Sequence, residues 1–227
     1  RGPLLDVESI ALPRRETRIL TRGFHGFGVP MDMVETSRGC TIGCRYCSIQ
    51  QMYGRSVRYF PIERSLKDLR RVRARGARFI FFADDNITLA PDRFSQLCDA
   101  IRQARLNDMI YATEASVLGI LRNTSLPGKM KEANFKMVFL GIERLEARSL
   151  SFLGKPGGEG QAEEAVKRLR EAGIAVAGGF ILGNPEDREE DLLQILYSAR
   201  DLQIDAPFLF LVTPYHGTAL RPDMEAE

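Results

Sequence analysis

The chain has 227 residues, 44% hydrophobic and 27% charged, with a formal net charge of +2. That length fits one domain, or one domain with an extension, and can bury a substantial core. The small net charge gives no global case for a nucleic-acid partner, and no apolar run approaches the length of a membrane-crossing helix.

Residues 1–30 carry Pro3, Pro13, Gly23, Gly26, Gly28 and Pro30, a density of breakers that predicts an extended lead-in or interdomain linker. Within it Pro13-Arg14-Arg15 could grip an anion, although a solvated linker is the plainer reading. A chain that starts on Arg1 without Met and ends on Asp223-Met224-Glu225-Ala226-Glu227 is expected to be a piece of a longer protein.

Residues 31–227 read as one domain of alternating strands and helices. Met33–Thr36 is the first expected strand. Pro61–Arg75 follows as a helix, with Ile62, Leu66, Leu69 and Val72 on one face and Gly76 as its stop. The arginines and Lys67 of the 64–78 stretch suit the wet face of that helix, with an RNA-facing patch as the alternative. Phe79-Ile80-Phe81-Phe82 is a doubly covered strand. Pro91 opens a helix to about Arg105, whose buried stripe includes Cys98. Met109–Ala112 is the third strand. A helical region from Ser116 to Ala133 is expected to break around Pro127-Gly128, and Met137–Leu140 is the fourth strand. Glu159–Ala172 is a helix and Ile174–Leu182 the fifth strand. Asp187, with Glu190 three residues on, is expected to cap a helix that buries Leu192, Ile195, Leu196, Ala199 and Leu202. Phe208–Val212 is the sixth strand. Six strands alternating with helices predict βα units of a parallel sheet.

The first strand runs into Cys40-Thr41-Ile42-Gly43-Cys44-Arg45-Tyr46-Cys47. Three close thiolates can hold three irons of a [4Fe–4S] cluster and leave the fourth iron for a small molecule. Gly39 and Gly43 let the backbone bend around a cuboid cluster, Tyr46 can lay a ring beside a cofactor, and Arg38 and Arg45 could offset the cluster's charge. A structural zinc site needs a fourth ligand, which neither His25, Cys98 nor His216 offers at motif spacing, and a disulfide leaves one cysteine over. An oxygen-sensitive cluster and free thiols point to the reducing cytoplasm.

Each later strand also ends in chemistry-bearing residues: Ala83-Asp84-Asp85-Asn86, Thr113-Glu114-Ala115-Ser116, Gly141-Ile142-Glu143-Arg144, Gly183-Asn184-Pro185-Glu186 and Thr213-Pro214-Tyr215-His216-Gly217-Thr218. Parallel barrel-like folds gather their active sites on that face. Arg55 and Arg58, just after the cysteine loop, either bind a carboxylate or phosphate or are simply solvated.

The cysteine loop resembles that of the radical S-adenosylmethionine (radical SAM) enzymes, C-x3-C-x-aromatic-C, and the resemblance extends over roughly residues 31 to 220. It implies an α/β fold, an open partial (βα)6 TIM-like barrel. It also implies that SAM chelates the open iron and is cleaved to methionine and a 5′-deoxyadenosyl radical. On that resemblance Asp84, Asp85 and Asn86 are candidates for the SAM ammonium, where relatives often carry Gly-Gly-Glu, and Glu114, Ser116 and Glu143 for the ribose. Gly179-Phe180-Ile181-Leu182-Gly183-Asn184-Pro185-Glu186 matches G-x-I-x-G-x-x-E, with Ile181 against the adenine. The strand-end motifs look most like those of radical SAM enzymes that follow a cobalamin-binding domain, a domain then expected upstream of Arg1. His216 replaces a proline of that pattern and could reach the substrate or fill the turn. The implied reaction is a cobalamin-assisted methylation or an oxidative cyclisation of a small-molecule or lipid-like substrate, with a reductant such as flavodoxin or ferredoxin. The rivals are a methylthiotransferase acting on RNA or protein and a non-catalytic iron–sulfur carrier or scaffold.

Overall fold

A computed structural model describes residues 6–18 and 24–226; Pro3, Gly23 and Glu227 fall outside them. The described chain begins with single 3-10 turns at Val7–Ser9 and Arg15–Thr17. Strands β1 (His25–Gly26) and β2 (Val29–Val34) form a tight hairpin, followed by β3 (Ser37–Arg38), helix α1 (Ile49–Tyr53) and β4 (Arg58–Tyr59). Then come α2 (Ile62–Ala74), β5 (Phe79–Phe82), α3 (Pro91–Gln103), β6 (Ile110–Ser116), α4 (Val117–Arg122), α5 (Leu126–Glu132) and β7 (Phe135–Glu143). The chain closes with α6 (Ala147–Phe152), α7 (Gln161–Glu171), β8 (Ala175–Leu182), α8 (Glu189–Asp201), β9 (Ala206–Leu211) and α9 (Arg221–Glu225).

The main sheet has seven strands in the order β1-β2-β5-β6-β7-β8-β9. Within this sheet every pair from β2 on is parallel and only β1 runs against its neighbour, while β3 and β4 pair antiparallel apart from it. The strands lie in chain order, and from β2 on each is joined to the next by a helical crossover. A twisted sheet wound one way by such units curls into an open half-barrel with helices outside.

Side-chain alternation explains the layering. Ile80, Phe82, Tyr111, Phe135, Val138, Leu140, Val176 and Phe180 share one buried cluster with the apolar stripes of the helices. Its centre is aromatic: Phe82 and Phe135 stack at 5.6 Å, and Phe94 meets Phe135 edge-on at 5.2 Å. Cys98 is a core thiol, 1% exposed in α3. The α2 stripe, Leu66, Leu69 and Val72, is buried as its periodicity requires.

Several local expectations differ from the fold. The first strand lies earlier, at Val29–Val34, because Thr36 and Ser37 are drawn out of it by Asp84. The third and fourth strands run to Ser116 and Glu143, so Glu114, Ser116 and Glu143 lie on strands and not after them. The helical break falls at Asn123, whose side chain accepts from Ser125 N–H; Pro127 sits in the first turn of α5, where its missing N–H costs nothing. Asp187 does not cap α8. Arg188 is the N-cap residue, and its N–H is taken by Asp191, while Asp187 accepts a two-pronged bond from buried Arg144. Ile195 and Ala199 of α8 and Leu202 at its C-cap are buried, but Leu192 and Leu196 are exposed.

The lead-in is more structured than a solvated linker. Arg15 is 5% exposed: it pairs with Asp68 of α2 through two nitrogens, with Asp32 of β2 at 3.3 Å, and with the Met33 carbonyl at 2.8 Å. Burial opposes its charge, but the two carboxylates outweigh that and hold the guanidinium above its ordinary value. From the arginine-rich stretch, Arg64 leaves the wet face: it lies 3.9 Å over the Phe60 ring and donates to the Ile10 carbonyl. The lead-in is thus clamped to the outside of the first βα unit.

Candidate active site

The cysteine loop leaves the C-terminal end of β2 and crosses the barrel mouth. Three anchors fix it. Asp84, 1% exposed, accepts from Thr36 N–H (3.1 Å), Thr36 Oγ1 (2.7 Å) and Ser37 Oγ (2.5 Å). Asp85 accepts from Gly39 N–H at 2.7 Å. Arg45 N–H donates to the Leu153 carbonyl at 2.8 Å, tying the loop to the end of α6. Gly39 is obligatory there: its φ is +92°, and a Cβ would lie 2.3 Å from the Ser56 carbonyl oxygen. Gly43 carries no such demand, since its φ is not positive and a Cβ would be 3.7 Å from Arg55.

Cys40, Cys44 and Cys47 line one cavity of about 150 Å³ with Tyr46, Asp85, Asn86, Glu114, Ser116 and Glu143. Every one of these was singled out in the sequence, from four separate strand ends. All four cysteines of the chain are free. No three His, Cys, Asp or Glu side chains among the described residues are placed to share one ion. Three thiols around one cavity are the donor set of a cuboid cluster with one thiolate per iron, whereas a structural zinc site takes four ligands. Burial pushes the Cys44 and Cys47 thiols up, so they keep their protons until a metal displaces them.

The sequence missed the residue that completes the cavity, Lys155. Its ammonium donates to Glu143 Oε1 at 3.0 Å, and the Tyr46 hydroxyl donates to the same oxygen at 2.9 Å. Burial alone would lower the Lys155 pKa, but Glu143 and the nearby cysteines hold it above its ordinary value. Burial, with Glu143's charge, pushes the Tyr46 phenol far up, so it stays a proton donor. Lys155 is the cation that lines the cavity, a place at which Arg38 and Arg45 were expected. Those two are engaged elsewhere, Arg38 on Glu35 and Arg45 on Asp223 and the Phe152 carbonyl. The available signal was a lysine inside the turn Gly154-Lys155-Pro156-Gly157-Gly158.

Glu143 reaches the cavity through an irregular backbone. Its φ is +65°, at a register shift between β7 and β8. Gly141 gives it room: a Cβ there would lie 2.9 Å from Glu143 Oε1 and 3.0 Å from Lys155 Nζ.

The three candidates after β5 separate by their bonds. Asp84 is spent on Thr36 and Ser37. Asn86 Oδ1 caps the next turn, taking Thr88 N–H at 3.2 Å and Thr88 Oγ1 at 2.8 Å. Asp85, with one bond to Gly39, keeps acceptor capacity toward the cavity. Ser116 Oγ caps α4 by accepting from Gly119 N–H at 3.2 Å. Gly179 lies on the inner face of β8, where a Cβ would meet the Phe139 ring at 2.9 Å, and Ile181 shares that face two residues on. Gly183 follows the strand with φ +83°, and exposed Glu186 pairs with Arg148 outside the cysteine cavity. Arg55 and His216 are exposed.

Residues 34–197 match the model of the Radical SAM superfamily. An uncharacterized methyltransferase of Pyrococcus horikoshii is 32% identical over 220 residues, which are 96% of this chain and 47% of the relative. The hopanoid C-3 methylase of Methylococcus capsulatus is 31% identical over 212 residues, 91% of this chain and 39% of the relative. The chain thus spans less than half the length of either. Among solved structures, the radical SAM methyltransferase TsrM from Kitasatospora setae, with cobalamin and a [4Fe–4S] cluster bound, superposes with a TM-score of 0.79 at 16% identity. That likeness covers 86% of this chain and 39% of TsrM and extends to the curled half-barrel. With the cysteine loop at the mouth of that barrel and the family match spanning most of the sheet, the chain belongs to the radical SAM superfamily.

Proposed function

We propose that Cys40, Cys44 and Cys47 each hold one iron of a [4Fe–4S] cluster and leave the fourth iron for SAM. The supporting observation is the single cavity in which the three thiols meet the Tyr46–Glu143–Lys155 network. When bound, the cluster supplies one electron to the sulfonium of SAM, giving methionine and a 5′-deoxyadenosyl radical. The chain's own part is to position and to shield. Asp85 offers its free acceptor positions to the SAM ammonium. Glu114 and Glu143 face the cavity as acceptors for the ribose hydroxyls, and Ile181 gives the adenine an apolar contact.

The radical abstracts hydrogen from a carbon of a small-molecule or lipid-like substrate, and the outcome is a cobalamin-assisted methylation or an oxidative cyclisation. The methylase names of the relatives and the cobalamin in TsrM favour methylation. In this account the catalytic barrel begins with the β1–β2 hairpin at His25, and the residues before it lead in from a cobalamin-binding domain. Flavodoxin or ferredoxin supplies the electron in a reducing cytoplasm. No helix among the described residues is long and apolar enough to cross a membrane.

Anaerobically reconstituted protein, reduced with dithionite in the presence of SAM, is expected to release 5′-deoxyadenosine, measured by chromatography and mass. A cluster-loaded protein that releases none over hours would refute the catalytic reading in favour of an iron–sulfur carrier.

A further inference from the structure

The strand register places Ser116, Gly141, Gly179 and Phe208 in one row across β6 to β9. Ser116 and Gly141 line the cysteine cavity, and so does Phe139. Phe210, opposite Ile181, lies on the same face of β9 as Phe208. The Phe139 ring is 5.7 Å from Phe208 and 6.3 Å from Phe210, and the two β9 rings stack 6.4 Å apart at 11°. Gly179 makes this possible, since a side chain there would occupy the space of the Phe139 ring. The rings form one wall that starts inside the cavity at Phe139 and runs to the last strand, where Phe208 is 45% and Phe210 46% exposed.

We propose that this wall is the substrate-binding surface, and that its occupant is a small molecule that lays an apolar ring system against Phe208 and Phe210. The proposal rests on the radical SAM reading and adds the substrate's chemistry to it. Thiols, Asp85, Glu143 and Lys155 make the cavity polar on one side, which suits SAM, and the Phe139 ring in its lining leads on to Phe208 and Phe210 beyond it. Phe139 belongs to both, so an occupant of the wall lies beside whatever the polar side holds. Aromatic rings gain most from flat partners, through offset stacking and edge contacts beyond simple area burial. A contiguous exposed aromatic surface is also costly to leave in water, which marks it as a surface that something covers. A ligand fits this better than a second protein chain because the wall begins at Phe139, a ring that itself lines the cavity.

The test uses the full-length protein with its cluster reconstituted, and N-phenyl-1-naphthylamine, a neutral dye that fluoresces on apolar surfaces, as the probe. Wild type is expected to bind the dye saturably. The double variant Phe208→Leu/Phe210→Leu keeps an apolar strand but loses the rings, and should bind it about ten-fold more weakly, with iron content unchanged. Equal dye affinity in both proteins overturns the proposal. So does a second result: Phe208→Trp adds one indole to the wall, and full shielding of that added emission, read as the difference from wild type, from acrylamide without dye would show a protein segment or second copy covering the wall. A wild type that holds no cluster overturns the underlying reading as well, and iron analysis separates that from failure of the wall alone.

Discussion

Alanine at Cys40, Cys44 or Cys47 is expected to abolish the four-iron cluster, whereas Cys98→Ser should leave it intact. The three loop cysteines line one cavity, and no other thiol is near enough to replace a lost one. With two thiolates left, a cuboid cluster lacks the protein ligands that hold it. Cys98 sits 1% exposed in α3 within the aromatic core, and burial pushes its thiol far up, so it has neither access nor thiolate character. Iron and sulfide analysis, with the visible absorbance of the cluster, reads the result. Equal iron loss in Cys98→Ser would show that the three-thiol assignment is wrong.

The second large effect is on stability, far from the cavity. Arg15→Met is expected to destabilise the folded state by about 3–5 kcal/mol, because it leaves Asp68 buried at 2% exposure without its cation. Asp32 suffers less, since Arg18 and the Met33 N–H still donate to it. Burial alone would raise the Asp32 pKa, but Arg18, the Met33 N–H and Arg15 bring it below the ordinary carboxylate value. A depressed pKa gives stability that is full above the unfolded value of about 3.9 and lost as pH falls through the folded one. Arg15→Met should therefore also flatten the acid limb of the stability profile. Urea midpoints at several pH values measure both effects. A loss below about 1 kcal/mol at neutral pH would mean that the lead-in is not clamped as described.

Much of this architecture could be read in the sequence because its signals are local. Phe79-Ile80-Phe81-Phe82 has no polar break and ends up between two covered neighbours. The stripe of α3 and its Pro91 start fix that helix almost to the residue. The cavity lining was legible for a related reason: a parallel barrel brings strand ends together, so residues just past each apolar run converge. What escaped depended on contacts between distant segments. Arg15 looks solvated until Asp32 and Asp68, 17 and 53 residues away, close around it. Lys155 has no periodic pattern, and only the register shift that turns Glu143 inward gives it a partner. The exposure of Leu192 and Leu196 follows from which face of α8 meets the sheet, and a helix with apolar residues on more than one face does not announce that choice. Asp84, Asp85 and Asn86 looked interchangeable, and only their hydrogen bonds assign two of them to the scaffold.

The central claim is that one iron of the cluster is left open for SAM, and electron paramagnetic resonance of the reduced cluster tests it most directly. Spectra are recorded on dithionite-reduced protein with and without excess SAM. The account predicts a clear change of g-values and line shape on adding SAM, because the amino acid moiety ligates the open iron. An unchanged spectrum at saturating SAM, in protein with full iron content, would contradict it.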